Sequence, residues 1–143
     1  MSELARISIS LEADLLETFD GYAEEHGFPT RSEAIKNVMR QALVENEWAK
    51  SEFVAGSISL VYDHHRPGIV QKLLDAQHDF CEEILCSQHV HLDHDNCLEI
   101  IVLKGTSLRI KEILQRLREI KGLKHLVLTM STTGKSYGIS SNR

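Results

Sequence analysis

A lone strand limits what this chain can fold into more than any other feature. In Ala5-Arg6-Ile7-Ser8-Ile9-Ser10-Leu11 the apolar Ile7, Ile9 and Leu11 alternate with Arg6, Ser8 and Ser10, the period of two that marks a strand with one buried face. Helical spacing follows at once. Leu15, Leu16, Phe19, Tyr22 and Ala23 recur at three and four residues, up to Gly27 as a C-terminal cap. Thr30 and Glu33 then match a capping box ahead of a second apolar stripe, Ala34, Ile35, Val38, Met39, Ala42 and Leu43. Such a βαα unit leaves its single strand with unmet N–H and C=O groups along both edges. Antiparallel pairing with the same strand of a second chain satisfies one edge and lets four helices bury the apolar face. The unit is therefore expected to be an obligate dimer, because a monomer this small cannot close a core.

In that dimer Arg6, Ser8 and Ser10 of each chain form two parallel rows, a width that fits the DNA major groove. The plain alternative is a solvated polar face. Thr30-Arg31-Ser32 weighs toward DNA, since it sits where a helix N-terminus offers free amides and its dipole to a phosphate. Charge argues the other way at first. The 143 residues carry a formal net charge of −5, and residues 1–50 hold five Lys/Arg against ten Asp/Glu, whereas nucleic-acid binders carry a basic footprint. However, Glu12, Asp14, Glu17, Glu24 and Glu25 fall on or beside the first helix, which can face away from DNA, while Arg6 and Arg31 lie toward it.

From residue 53 the pattern changes. Strands are expected over 53–62, 84–92, 97–103 and 123–130, and helices over 67–82 and 107–120, an order of βαββαβ. Right-handed crossovers fold that order into an antiparallel four-stranded sheet with two helices on one face. The chain thus reads as α+β: a βαα domain over 1–50, a βαββαβ domain over 51–131 and a polar tail over 132–143. No apolar run approaches the roughly 20 residues that span a bilayer, and the N-terminus lacks a signal-peptide pattern. Three cysteines without a CxxC pair disfavour a disulfide framework. A cytoplasmic protein is expected. An enzyme is not, because no nucleophile–base arrangement or phosphate loop is present.

Six of the eight histidines lie between residues 64 and 94. His89-Val90-His91 puts two imidazoles on one face of a strand, and Cys97, across a short turn, reaches the same face. Two ring nitrogens and a thiolate suit zinc, nickel or copper, with geometry rather than ligand type separating them. An exposed histidine pair is the plainer account of the same spacing. His78 near the end of a helix reads alone as a surface or capping residue. His26, His64, His65 and His125 read as solvated, with a weaker metal or ligand contact left open for His64 and His65, His94 as exposed with an indirect supporting role open to it, Cys81 and Cys86 as packed thiols, and Trp48 and Phe53 as packing at the domain junction.

Arg6 to Leu11 with two helices and Thr30-Arg31-Ser32-Glu33-Ala34-Ile35 resembles ribbon-helix-helix DNA-binding proteins. Ala76-Gln77-His78, His89-Val90-His91, His94-Asp95-Asn96-Cys97-Leu98-Glu99-Ile100 and Val102-Leu103-Lys104-Gly105 resemble the regulatory domain of the nickel-responsive transcriptional regulators, the NikR family. The resemblance runs from residue 4 to about residue 130. It implies a homotetramer, a dimer of dimers, in which ACT-like, ferredoxin-like βαββαβ domains form the centre and ribbon-helix-helix dimers flank it. It implies Ni(II) held in a plane by His89, His91 and Cys97 of one chain and His78 of a neighbouring chain. It also implies base contacts from Arg6, Ser8 and Ser10, phosphate contacts from Arg31 and Ser32, and a palindromic double-stranded DNA operator controlling nickel-uptake genes, as a repressor. A cation site between the domains would use Glu33, although Asn37 stands where another family member has an acidic residue. The rival readings are a metal storage or delivery protein and an amino-acid-sensing repressor; retardation of palindromic DNA and calorimetry with amino acids respectively separate them from the first.

Overall fold

A computed structural model describes residues 3–50 and 52–134. The described chain contains α1 (Ala13–Glu25), α2 (Arg31–Ala49), β1 (Phe53–Asp63), α3 (Ile69–Asp79), β2 (Ile84–His91), β3 (Asn96–Thr106), α4 (Ser107–Arg118) and β4 (Leu123–Met130). Two compact units result, one holding the described residues up to Leu43 together with Gly134 and the other spanning Val44–Thr133. Most of the polar tail lies outside the described residues.

In the first unit α1 ends as the glycine signal requires. Gly27 takes φ +72°, its amide donates to the Glu24 carbonyl and the Phe28 amide donates to the Ala23 carbonyl, both at 3.0 Å, the paired bonds of a Schellman cap. Thr30 Oγ1 accepts from the Glu33 amide at 3.1 Å, so α2 starts at its capping box. The expected N-terminal strand does not form within one chain. Residues 3–12 carry neither strand nor helix, and Ile7, Ile9 and Leu11 are 72%, 62% and 47% exposed. A strand exists only against a ladder partner, and the sequence supplies none inside this unit.

The second unit is a four-stranded sheet of order β2-β3-β1-β4, antiparallel throughout. Alternation along β1 and β3 sorts its faces. Val54, Ile58, Leu60 and Tyr62 of β1 and Cys97, Glu99, Ile101 and Leu103 of β3 are buried, together with Ile110, Ile113 and Leu117 of α4 and Ile69, Leu73 and Ala76 of α3. Val61, Leu98, Ile100 and Val102 lie on the other face and are half-buried. The last turn of α2 belongs to this unit. Trp48 is 2% exposed and its indole Nε1 donates to the Ser131 carbonyl at 2.9 Å. Gly56 makes room for it, since a Cβ there would lie 2.8 Å from the Thr129 carbonyl oxygen and 3.2 Å from the indole ring.

Element ends shift from the expected ones by a few residues. β3 runs on through Lys104 and Gly105 because both keep partners on β1, Ala55 and Val54. α3 starts only after Gly68, at φ +80°, and stops at Asp79. Cys81 and Cys86 are exposed, not packed. The first follows the end of α3, and the second lies on β2, an edge strand exposed over nearly its whole length. Phe53 is 54% exposed beneath the Lys104 ammonium, which lies 5.6 Å from its ring centroid.

Candidate metal centre

A short turn between β2 and β3 sets the register on which the centre depends. Asp93 Oδ1 accepts from the Asp95 amide at 2.9 Å and the Asn96 amide at 2.8 Å, and the Asn96 side-chain amide donates to both Asp93 oxygens. These bonds hold the Asp93 carboxyl down at about 2, with the Asn96 side chain the largest cause. Closing the hairpin this way places His91 opposite Cys97 and His89 opposite Glu99. Because His89 and His91 are two residues apart on a strand, both share the face of Cys97 and Glu99.

Cys97 is the buried member, 3% exposed. Its Sγ lies 3.3 Å from His91 Nδ1 and 3.4 Å from His64 Nδ1, and the two rings meet edge to face at 5.3 Å between centroids. Burial pushes the Cys97 thiol above its usual range, and the carboxylates of Glu99, Asp63 and Asp93 push it further. His89 is differently engaged. Its Nδ1 is 3.2 Å from the Tyr62 hydroxyl and its Nε2 is 3.1 Å from Glu99 Oε1. Glu99 is fully buried. Its Oε1 also accepts from Gln77 Nε2 at 2.8 Å, while its Oε2 has no hydrogen-bond partner among the described residues.

Of the four residues expected to hold metal, the chain thus brings His91 and Cys97 into contact and sets His89 two ladder pairs away on Glu99. His78 is exposed on the last turn of α3, directly after the Gln77 that is tied to Glu99. His64, expected from sequence to be solvated, is half-buried against Cys97. Its signal lies in strand pairing. β1 pairs with β3 as far as Asp63 and Asn96, so the residue that follows β1 arrives beside the His91–Cys97 pair. Sequence reasoning also misses Tyr62 and Glu99. An acid among Cys97, Ile101 and Leu103 on the buried alternation of β3 is the available clue, because a buried carboxylate needs donors. His26 caps α1, and His125 is exposed on β4.

The candidate DNA-contacting residues all lie in the first unit. Arg6, Ser8 and Ser10 are exposed along residues 3–12, and Ser32 is exposed at the start of α2. Arg31 is occupied. Its Nε and Nη2 donate to the two oxygens of Asp20, each at 2.8 Å. That fork lowers the Asp20 carboxyl and raises the guanidinium.

Residues 55–131 match the protein family described as the NikR C-terminal nickel binding domain, and residues 5–45 match the ribbon-helix-helix proteins of the copG family. A protein of Pyrococcus abyssi is 48% identical over 134 residues, which cover 93% of this chain and 97% of its own length. One from Syntrophus aciditrophicus is 42% identical over 94% of this chain and 98% of its own. Both are named as nickel-responsive regulators, not as enzymes. Among solved structures, an uncharacterized protein from Thermotoga maritima superposes with a TM-score of 0.50 at 19% identity, over 55% of this chain and 98% of that one. At that identity the likeness speaks to the fold alone.

Proposed function

We propose how this chain works from the premise that it belongs to the nickel-responsive regulator family, with a ribbon-helix-helix DNA-binding domain and a NikR C-terminal domain. In this reading it is a cytoplasmic regulator whose hold on a palindromic operator strengthens when nickel binds, repressing nickel-uptake genes.

The observation that carries the reading is the pairing of a buried cysteine with an imidazole in register. Cys97 and His91 face each other across β2 and β3, with His89 on the same face. A thiolate with imidazoles is a donor set that fits Ni(II), and no hard oxygen donor need take part. His89, His91 and Cys97 would hold the ion from one chain, and the exposed His78 would complete the set from a neighbouring chain. Bound there, nickel supplies a fixed link between donors of two polypeptides.

The chain's own residues must rearrange to accept it. Cys97 must lose its proton, and His89 must give up Glu99 or Tyr62 to free a ring nitrogen. Releasing Glu99 leaves Gln77, next to His78, as its remaining side-chain donor, so occupancy of the centre bears on the end of α3. A coupling of about 1–3 kcal/mol between metal and DNA is the usual size for such a switch.

Two apolar surfaces support the assembly. Ile7, Ile9 and Leu11 are exposed where a second chain would pair. Val90 and Val127, 38% and 42% exposed, adjoin the half-buried Val61, Leu98 and Ile100 on the open face of the sheet, which suits contact between dimers. Arg6, Ser8 and Ser10 would read bases, and Arg31 and Ser32 would hold phosphate.

The test is gel retardation of a palindromic operator fragment by full-length protein, with and without nickel. Nickel should raise affinity, and Arg6→Ala should lose selectivity while keeping its metal, since a good bidentate base contact is worth roughly 1–3 kcal/mol. Equal retardation with and without nickel would reject the reading.

A further inference from the structure

The histidines next to the Cys97 centre form a second group that the regulator reading does not use. His65, His94 and Asp95 offer two imidazole nitrogens and a carboxylate oxygen within 4.8 Å of one another, and all three are exposed. His65 Nε2 lies 3.6 Å from Asp95 Oδ1, and the His65 and His94 rings are 5.2 Å apart. We propose that these three side chains form a second, outer site for a divalent late transition-metal ion, separate from the Cys97 centre of the same chain.

Three features carry the proposal. First, the donor set matches borderline ions: two imidazoles and a carboxylate suit zinc, nickel or cobalt, with water filling the open positions. Second, the backbone holding the donors is already fixed. The His64 amide donates to the Asp95 carbonyl at 3.2 Å, joining the loop after β1 to the β2–β3 turn. The His65 amide donates to Asp63 Oδ1 at 2.9 Å, and the Asp95 amide to Asp93 Oδ1 at 2.9 Å. Donors on pinned backbone lose less freedom on binding than donors on a loose loop. Third, Asp63 and Asp93, on the His65 and Asp95 amides, add negative charge that the Lys124 ammonium beside Asp93 offsets only in part, which favours a cation at short range.

One hydrogen bond must be exchanged. His65 Nε2 lies 3.2 Å from the His94 carbonyl oxygen, and the ion would take the place of that shared proton. The outer group remains distinct from the inner one. His64 turns its ring to Cys97 while His65 turns to Asp95, and the two rings lie 4.0 Å apart. Without a thiolate the outer site should fill second and show no sulfur-to-metal charge-transfer absorption.

The experiment is equilibrium dialysis of untagged full-length protein against nickel sulfate, with absorption spectra taken at each equivalent. Wild type should bind two ions per chain, the second at least tenfold more weakly and without added charge-transfer intensity. The His65→Ala/His94→Ala variant should keep the first ion with its band and lose the second, and Cys97→Ala should do the reverse. Circular dichroism confirms that each variant folds, and the conservative His65→Gln/His94→Gln pair serves if the alanines do not. One ion in wild type, or a second ion unaffected by the His65 and His94 changes, overturns the proposal. Loss of both ions in either variant also overturns it, by showing one joint site. If the outer ion binds as described while wild type is retarded equally with and without nickel, only the regulator reading fails.

Discussion

Cys97 Sγ sits 3.3 Å from His91 Nδ1 because the two residues are direct ladder partners at the closed end of the β2–β3 hairpin. Four bonds to the Asp93 carboxylate hold that end shut. The pair is therefore set by backbone register rather than by the rotamers of long side chains, and it exists before any ion arrives.

Cys97→Ala should abolish nickel-stimulated DNA binding and the thiolate-to-nickel absorption while leaving the assembly intact. The side chain is small and removes one atom from a face still covered by Tyr62, Leu60 and Ile101. Absorption spectroscopy, gel retardation and size-exclusion chromatography check the three parts. Retained nickel stimulation would remove Cys97 from the switch.

Arg31 and Asp20 give a test of the phosphate interaction. Arg31 cannot hold a phosphate with the same fork it uses on Asp20, so Asp20→Asn should raise DNA affinity by removing the competitor. Arg31→Ala should flatten the dependence of log K on log salt by about 0.9 for each phosphate that the guanidinium neutralises in wild type. Binding measured between low and moderate salt distinguishes the two, and an unchanged slope for Arg31→Ala would take it off the DNA backbone.

How much of this is legible in the sequence depends on how local each relationship is. The capping box at Thr30, the glycine cap at Gly27 and the alternation of β1 and β3 are read within a few residues, and each element stands close to its expected place. His89, His91 and Cys97 are legible as one face for the same reason. His64 is not, because its approach to Cys97 depends on β1 lying beside β3, a pairing of residues 33 apart in the chain. The exposure of Cys86 is equally hidden, because strand order, which puts β2 at an edge, decides burial there and leaves no local pattern. The N-terminal segment marks the opposite case: its alternation is plain, yet residues 3–12 carry no strand in the described chain.

Trp48 and Gly56 are a matched pair, and each should fail without the other. Truncating the buried indole to Ala should cost about 3–5 kcal/mol, as large buried aromatic-to-alanine changes do. Gly56→Ala should destabilise by about 1–3 kcal/mol through overpacking, since its Cβ would press on the Thr129 carbonyl, which belongs to a paired strand, as well as on the indole. Trp48 is the single tryptophan, so its fluorescence reports unfolding of this unit directly in the Gly56 variant, and denaturant midpoints give both shifts.

Tyr62 makes the clearest statement about pH. Burial raises its phenol to about 12, and the nearby charges of Glu99 and Cys97 add to the effect. An ordinary phenol in the unfolded chain titrates near 10. The folded state therefore prefers the neutral phenol, and the sign follows: its contribution to stability is complete below about pH 10 and is lost as pH climbs from there through about 12. Alkaline titration of the metal-free protein, followed by phenolate absorption, should show one of the three tyrosines ionising late or only on unfolding. Tyr62→Phe should remove that delayed phase and flatten the loss of stability over the same range. It also takes away the hydroxyl 3.2 Å from His89 Nδ1, so His89 is left with Glu99 as its one described side-chain partner and the ring is freer to turn. Nickel should then bind at least as tightly as in wild type, and a delayed phase that persists in Tyr62→Phe would assign it to another tyrosine.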